Sequence, residues 1–180
     1  GTVAHLTGLT RHTRKRLSEA MTLRDEGAGA STFTYVDSPA NPTLERTVTL
    51  APDQRWTVEK LVSIYTSRDG AEPTAMAAAG ALALQDGGYA ALQAANRATW
   101  SDFWSAGDVI IEGDDQAQLA TRYSLFGLRI SASAHDDRVS IGARSLSGYG
   151  YRGHSFWDTE SFMLPFFSYT QPALARNLLL

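Results

Sequence analysis

Near Arg68-Asp69-Gly70 the sequence changes its pattern, and that change limits the fold more than any other feature. Upstream lie short stretches rich in β-branched and aromatic residues, one of which alternates as on a half-buried strand. Downstream, alanine dominates and apolar residues recur every three and four positions, as on a helix. A parallel sheet needs helical crossovers between its strands, and none lies between these. Strands first and helices second therefore predict an α+β chain with antiparallel sheet.

Before the switch, Thr32-Phe33-Thr34-Tyr35-Val36 is β-branched and aromatic, and Ser38 to Pro42 carries turn chemistry. Leu44 to Leu50 alternates, with Leu44, Arg46, Val48 and Leu50 on one side, and Trp56 to Thr66 is a further long strand candidate. Residues 1–69 thus read as the end of a β-sandwich. After the switch, Pro73 suits a first helical turn, Ala75 to Leu84 is strongly helix-forming, and Asp86-Gly87-Gly88 breaks it. Tyr89, Leu92, Asn96, Trp100, Phe103 and Trp104 then share one face of a second helix. Residues 70–107 read as a helical linker without a core of its own.

Asp114 is a good N-cap for a third helix over 115–131, with Asp115 in its first turn. Apolar residues lie on most sides of that helix, which predicts burial on most sides within a multi-helix assembly. Ala132 to Gly153 is a long connection, of the kind that is often functional. From Phe156 to Tyr169 the chain is apolar and aromatic, Pro165 should kink or break any helix there, and a last helix begins near Gln171-Pro172.

Composition removes several function classes. Hydrophobic residues make up 43% and charged residues 19%, and the formal charge is −3 without long single-sign blocks, so no nucleic-acid or anionic-membrane partner is expected. The basic run from Arg11 to Arg16 reads as an exposed turn. Cysteine is absent, which rules out disulfides and thiolate chemistry and accords with a reducing cytoplasm. No apolar run approaches the ~18 residues of a membrane span. His5, His12, His135 and His154 have no paired ligand spacing, and Glu112-Gly113-Asp114-Asp115 reads as helix capping rather than a calcium site, so no metal is expected. The chain opens on Gly1 rather than Met, and no signal peptide can be read from it.

The densest cluster of function runs from Gly148 through Tyr149, Gly150, Tyr151, Arg152, Gly153, His154, Ser155, Phe156, Trp157, Asp158 and Thr159 to Glu160. Gly148, Gly150 and Gly153 satisfy a G-x-G-x-x-G pattern, but no acidic residue follows about 20 positions on, and Tyr149 and Tyr151 would crowd a pyrophosphate. A structural reading makes Ser155-x-x-Asp158 a capping box and puts Phe156 and Trp157 in a core. A sugar-site reading uses the Trp157 ring to cover the apolar side of a pyranose and Asp158 to take its hydroxyls, with Arg152 and His154 close by. Asp158 and Glu160 would face each other only in an extended loop, at ~7 Å, within the range for an inverting acid/base pair.

The stretch SLSGYGYRGHSFWDTESFMLPFFSYTQPALARNLLL resembles the first catalytic-domain signature of glycoside hydrolase family 65, whose members include maltose, kojibiose and trehalose phosphorylases. Asp108 to Asp114, followed by Gln118, Arg122 and Leu125-Phe126, is similar to the helix that precedes it in that family. The resemblance implies an N-terminal β-sandwich (1–69), a helical linker (70–107) and the start of an (α/α)6 catalytic barrel (108–180), in a fragment of a larger enzyme. It implies inverting phosphorolysis of an α-linked glucose disaccharide to β-glucose 1-phosphate, with inorganic phosphate as co-substrate and no organic cofactor. No catalytic residue is expected in this chain, the general acid being a glutamate downstream. Trp157 and Asp158 match the residues that line the non-reducing glucose subsite, Arg152 and His154 would help shape it, and Glu160 would be a structural hydrogen-bonding partner. A homodimer is implied for the full protein. Alternative readings are a same-family hydrolase that uses water, a non-catalytic carbohydrate-binding protein, and a purely structural helical domain.

Overall fold

A computed structural model describes residues 2–26, 32–38, 40–148 and 150–180. Tyr149 and Pro39, which belong to the glycine-rich run and to the Ser38–Pro42 turn, lie outside the described residues. The chain forms two compact units, Gly1–Arg97 and Ala98–Leu180. The architecture is α+β with antiparallel pairing.

In the first unit, β1 (Ala4–Leu9), β2 (Arg16–Glu26) and β5 (Thr57–Thr66) form one antiparallel sheet in the order β1-β2-β5. The basic stretch at 11–15 is the exposed hairpin between β1 and β2, closed by the Thr10 N–H donating to the Lys15 carbonyl at 2.9 Å. β3 (Thr34–Val36) and β4 (Thr43–Glu45) pair as a separate short hairpin. The strand expected over Leu44 to Leu50 therefore stops at Glu45. Pairing with β3 ends at Thr34 opposite Glu45, and Arg46 turns inward to an ion pair with Asp25 on β2. The same Asp25 Oδ2 accepts from Trp56 Nε1 at 2.7 Å, and the guanidinium lies near the Phe33 and Trp56 rings.

The alanine-rich stretch folds as α1 (Pro73–Ala83) and packs on the β2–β5 face through Ala77 and Ala81 against Ala20. Small residues on both sides let helix and sheet approach closely: a Cβ on Gly80 would sit 2.4 Å from Ser63 Oγ and 3.2 Å from the Tyr65 ring. The buried polar groups on this face are satisfied. Thr7, Ser18 and Thr74 form a triangle of hydroxyls at 2.8–3.1 Å, and Thr22 donates to the Thr2 carbonyl while accepting from the Gln85 amide. α2 (Gly88–Gly107) starts after the predicted break, where Glu59 on β5 accepts from the Tyr89 N–H at 3.1 Å.

In the second unit, α3 spans Asp115–Ser131 as expected, and Asp114 Oδ1 caps it by accepting from the Gln116 and Ala117 N–H groups at 3.1 and 2.9 Å. The burial expected for α3 is not found. None of its residues is buried, and Leu119 and Tyr123 are 71% and 74% exposed. Among the described residues, Phe126 stacks on Trp100 and, from another side of the helix, Leu128 packs against the core. That core is built from Ile141, Phe167, Leu174 and Leu178.

Pro165 acts as predicted, by a specific device. The helix that begins at Trp157 widens to a π-helical turn over Thr159–Met163, in which the Leu164 N–H reaches back five residues to the Thr159 carbonyl. It restarts as α4 (Leu164–Thr170), with Pro165 in the first turn where a missing N–H does no harm. α5 (Pro172–Leu179) follows as predicted.

Candidate functional site

The segment that carries Arg152, His154, Trp157 and Asp158 is held from below by the preceding connection. Ser133 Oγ accepts from the Asp136 N–H at 2.9 Å, Asp136 Oδ1 accepts from Arg138, and Asn177 on α5 donates to the Ser133 carbonyl at 2.8 Å. These bonds order the connection as it delivers Ile141 into the core.

The Ile141 carbonyl then receives two hydroxyls, Ser155 Oγ at 3.0 Å and Thr159 Oγ1 at 2.8 Å. One residue on, Gly142 lies against Gly153 so closely that a Cβ there would be 3.2 Å from its backbone. The Ala143 N–H donates to the His154 carbonyl. A side chain at Gly142 would press on the Gly153 backbone, which would have to give by a few tenths of an ångström.

Over this base the chain makes a tight left-handed turn at Gly150–Gly153. Tyr151, Arg152 and Gly153 have φ of 60°, 52° and 78°, three successive left-handed residues of which two carry side chains. Such strain persists only where the surroundings impose it, and it concentrates at functional sites. Among the described residues no strand leads into this turn, the last being β5, so the strand–turn–helix context of a dinucleotide site is not found around the glycine pattern.

The capping-box reading of Ser155 and Asp158 is not what forms. Ser155 reaches across to Ile141, while Asp158 adopts a helical conformation (φ −65°, ψ −28°) and makes no side-chain cap bond. The core reading of Phe156 and Trp157 also fails: the two are 44% and 68% exposed. Their rings lie beside Tyr151 and Phe162, with centroids 5.3 and 5.5 Å apart. Asp158 and Glu160 sit two apart on helical backbone, so the extended-loop geometry that would let them face each other does not arise.

Trp157 and Asp158 thus stand together at the first turn of one helix, the indole exposed and the carboxylate half-buried. Arg152 lies in the strained turn just before it and His154 directly follows that turn, both exposed. Among the described residues, no hydrogen bond or ion pair ties Arg152 or His154 to Asp158, and Glu160 is likewise exposed. An uncovered indole offers an apolar plane with a donor at its edge, and the neighbouring carboxylate offers acceptors for hydroxyls. No group of His, Asp or Glu suited to a metal ion occurs among the described residues. No helix among the described residues is long and apolar enough to cross a membrane.

A second cluster organises the approach to α3. Arg122 donates from Nε and Nη2 to both oxygens of Asp108 at 3.0 and 2.5 Å. One turn earlier, Gln118 donates to the Val109 carbonyl and accepts from the Ile111 N–H. The guanidinium holds the Asp108 carboxyl below its ordinary value, chiefly through this hydrogen bond. Sequence reading missed the Thr159–Ile141 contact altogether. Its only local trace is a threonine just inside a helix start, a common position for that residue.

The profile of the glycosyl hydrolase family 65 N-terminal domain matches residues 1–103, and that of the family's central catalytic domain matches residues 122–180. The chain belongs to glycoside hydrolase family 65. Its relatives include the nigerose phosphorylase of Lachnoclostridium phytofermentans, 42% identical over 120 residues (67% of this chain, 16% of that protein). The kojibiose phosphorylase of Caldanaerobacter subterraneus subsp. tengcongensis is 52% identical over 83 residues (46% and 11%). An uncharacterized glycosyl hydrolase of Mycobacterium tuberculosis is 40% identical over 149 residues (80% and 19%). The solved structure named "Putative kojibiose phosphorylase from human microbiome" superposes with a TM-score of 0.77 at 24% identity, covering 99% of this chain and 24% of that one. The family 65 chain described here therefore spans less than a fifth of the length of these curated relatives.

Proposed function

We propose that this chain is part of an inverting disaccharide phosphorylase, and that Trp157 and Asp158 hold the glucosyl ring to be transferred. The observation that carries the site is the half-buried carboxylate that caps nothing beside an indole left uncovered. In a structural role both would be occupied within the fold. The reaction class is supported by the kojibiose and nigerose phosphorylases among the relatives.

In this reading an α-linked glucose disaccharide is bound with its non-reducing ring against Trp157 and its hydroxyls on Asp158, while Arg152 and His154 shape the rim. Inorganic phosphate attacks the anomeric carbon from the face opposite the departing sugar. It thereby replaces the base and activated water of an inverting hydrolase, and β-glucose 1-phosphate results. The proton donor is a glutamate outside these residues, and neither metal nor organic cofactor takes part. Residues 1–69 belong to a β-sandwich, 70–107 to a linker and 108–180 to the first helices of an (α/α)6 barrel, in a cytoplasmic protein that forms homodimers. An exposed apolar stripe at Leu119, Tyr123, Phe126 and Ile130 supports the barrel, since further helices would cover it.

One observation favours a hydrolase instead: the relative from Mycobacterium tuberculosis, matched over 149 residues, carries that broader description. Glucose 1-phosphate release by the full-length protein, with and without phosphate, separates the two. Phosphate-dependent release is expected; glucose release at the same rate without phosphate would reject phosphorolysis.

A further inference from the structure

The Ile141 carbonyl links the candidate sugar site to the core. Ile141 is itself buried, and its oxygen is gripped by hydroxyls from residues that flank Trp157 and Asp158, Ser155 before them and Thr159 after. Thr159 is 2% exposed, so its bond is shielded from water. Its own carbonyl also accepts the Leu164 N–H that closes the π-helical turn. The left-handed turn at Tyr151–Gly153 rests on the neighbouring Gly142. The two halves of the site thus share one three-residue support at 141–143.

We propose that Thr159 is a positioning residue for sugar binding: its bond to the Ile141 carbonyl fixes the rotation of the helical turn that presents Trp157 and Asp158. The inference rests on the sugar-site reading. It also goes beyond it, because Thr159 faces the interior and acts only through its neighbours. Of the two hydroxyls that anchor this turn only that of Thr159 is fully buried, while Trp157 is mostly exposed and Asp158 makes no cap bond. Losing that anchor lets the turn shift, and small displacements of binding groups are costly.

The test uses the full-length protein and steady-state kinetics with disaccharide and phosphate varied separately. Thr159→Val keeps the volume and removes the donor; it is expected to raise the KM for disaccharide on the order of tenfold or more, and to leave that for phosphate within about twofold. Thr159→Ser keeps the donor and is expected to restore most of the loss. Lower thermal stability of Thr159→Val with an unchanged disaccharide KM would overturn the proposal, because the threonine would then only stabilise the fold. If Thr159→Val does not fold, Ser155→Ala decides, since it removes the other donor from a more exposed position. A raised disaccharide KM supports the shared anchor and an unchanged one overturns it. Asp158→Asn is measured alongside. A raised KM there with no change in Thr159→Val defeats the positioning role alone; no change in Asp158→Asn defeats the sugar site and the proposal with it.

Discussion

The two units bury different things. The first joins α1 to its sheet through Ala20, Ala77 and Ala81 and a network of hydroxyls and an amide. The second packs Ile141, Phe167, Leu174 and Leu178, with large side chains and few polar groups. An alanine-lined interface gains little from area, since each methyl buries little, and depends on close approach and on satisfied polar groups. A core of large residues gains from area and tolerates no holes. The first unit should therefore fail by overfilling or by orphaned polar atoms, and the second by cavities.

The strongest test of this contrast is Phe167→Ala, which removes the largest fully buried side chain among the described residues. It should destabilise the second unit by about 3–5 kcal/mol, read as faster hydrogen exchange in peptides from α4 and α5 of the full-length protein. Exchange in α1 should not change. Next comes Thr22→Val, which leaves the Gln85 amide and the Thr2 carbonyl without their partner. A loss of about 1–3 kcal/mol in β2 and α1 is expected, and protection equal to that of the parent would show that water replaces the hydroxyl at no cost.

Gly80→Ala sharpens the comparison because two effects oppose each other. Helix propensity favours alanine by about 1 kcal/mol, yet the new Cβ would meet Ser63 Oγ at 2.4 Å and Ser63 Cβ at 3.2 Å. The contact should prevail, giving a net loss of about 1 kcal/mol. Pairing it with Ser63→Ala should recover most of that; strictly additive losses would show that the two residues do not touch. Asp114→Ala should cost about 1 kcal/mol in the first turn of α3, visible as fraying there and nowhere in the first unit.

The smallest effect concerns Asp108. Its carboxyl is held below the ordinary value by Arg122, so the stability it contributes is present above the unfolded-state pKa and is lost as pH falls through the folded one. Arg122 is exposed and Asp108 half-buried, so water and salt weaken the pair. Asp108→Asn should flatten the acid limb of thermal midpoint against pH. An unchanged acid limb would place the titration in other carboxylates.

Much of the second unit was legible because its signals are local. Asp114 is followed by residues of strong helical period, so cap and helix fell where expected, and Pro165 and Pro172 mark helix starts by what proline cannot do. The first unit was less legible. β1 and β2 gave no clear alternation, since one face of the sheet meets alanines and hydroxyls rather than large apolar side chains. Arg46 looked like the continuation of a strand, because nothing in the sequence announces that Asp25 waits 21 residues away.

The sequence alone determined the order of strands and helices, the family, and the residues worth watching, because periodicity, caps and a long specific motif are all carried by neighbours along the chain. Only the tertiary structure decided which of those residues stay exposed. Asp158 makes no cap bond and Trp157 is exposed, on a turn whose Ser155 and Thr159 reach 14 and 18 positions back to the Ile141 carbonyl. A contact of that span depends on the folded path of the chain between its ends, and no local pattern encodes it.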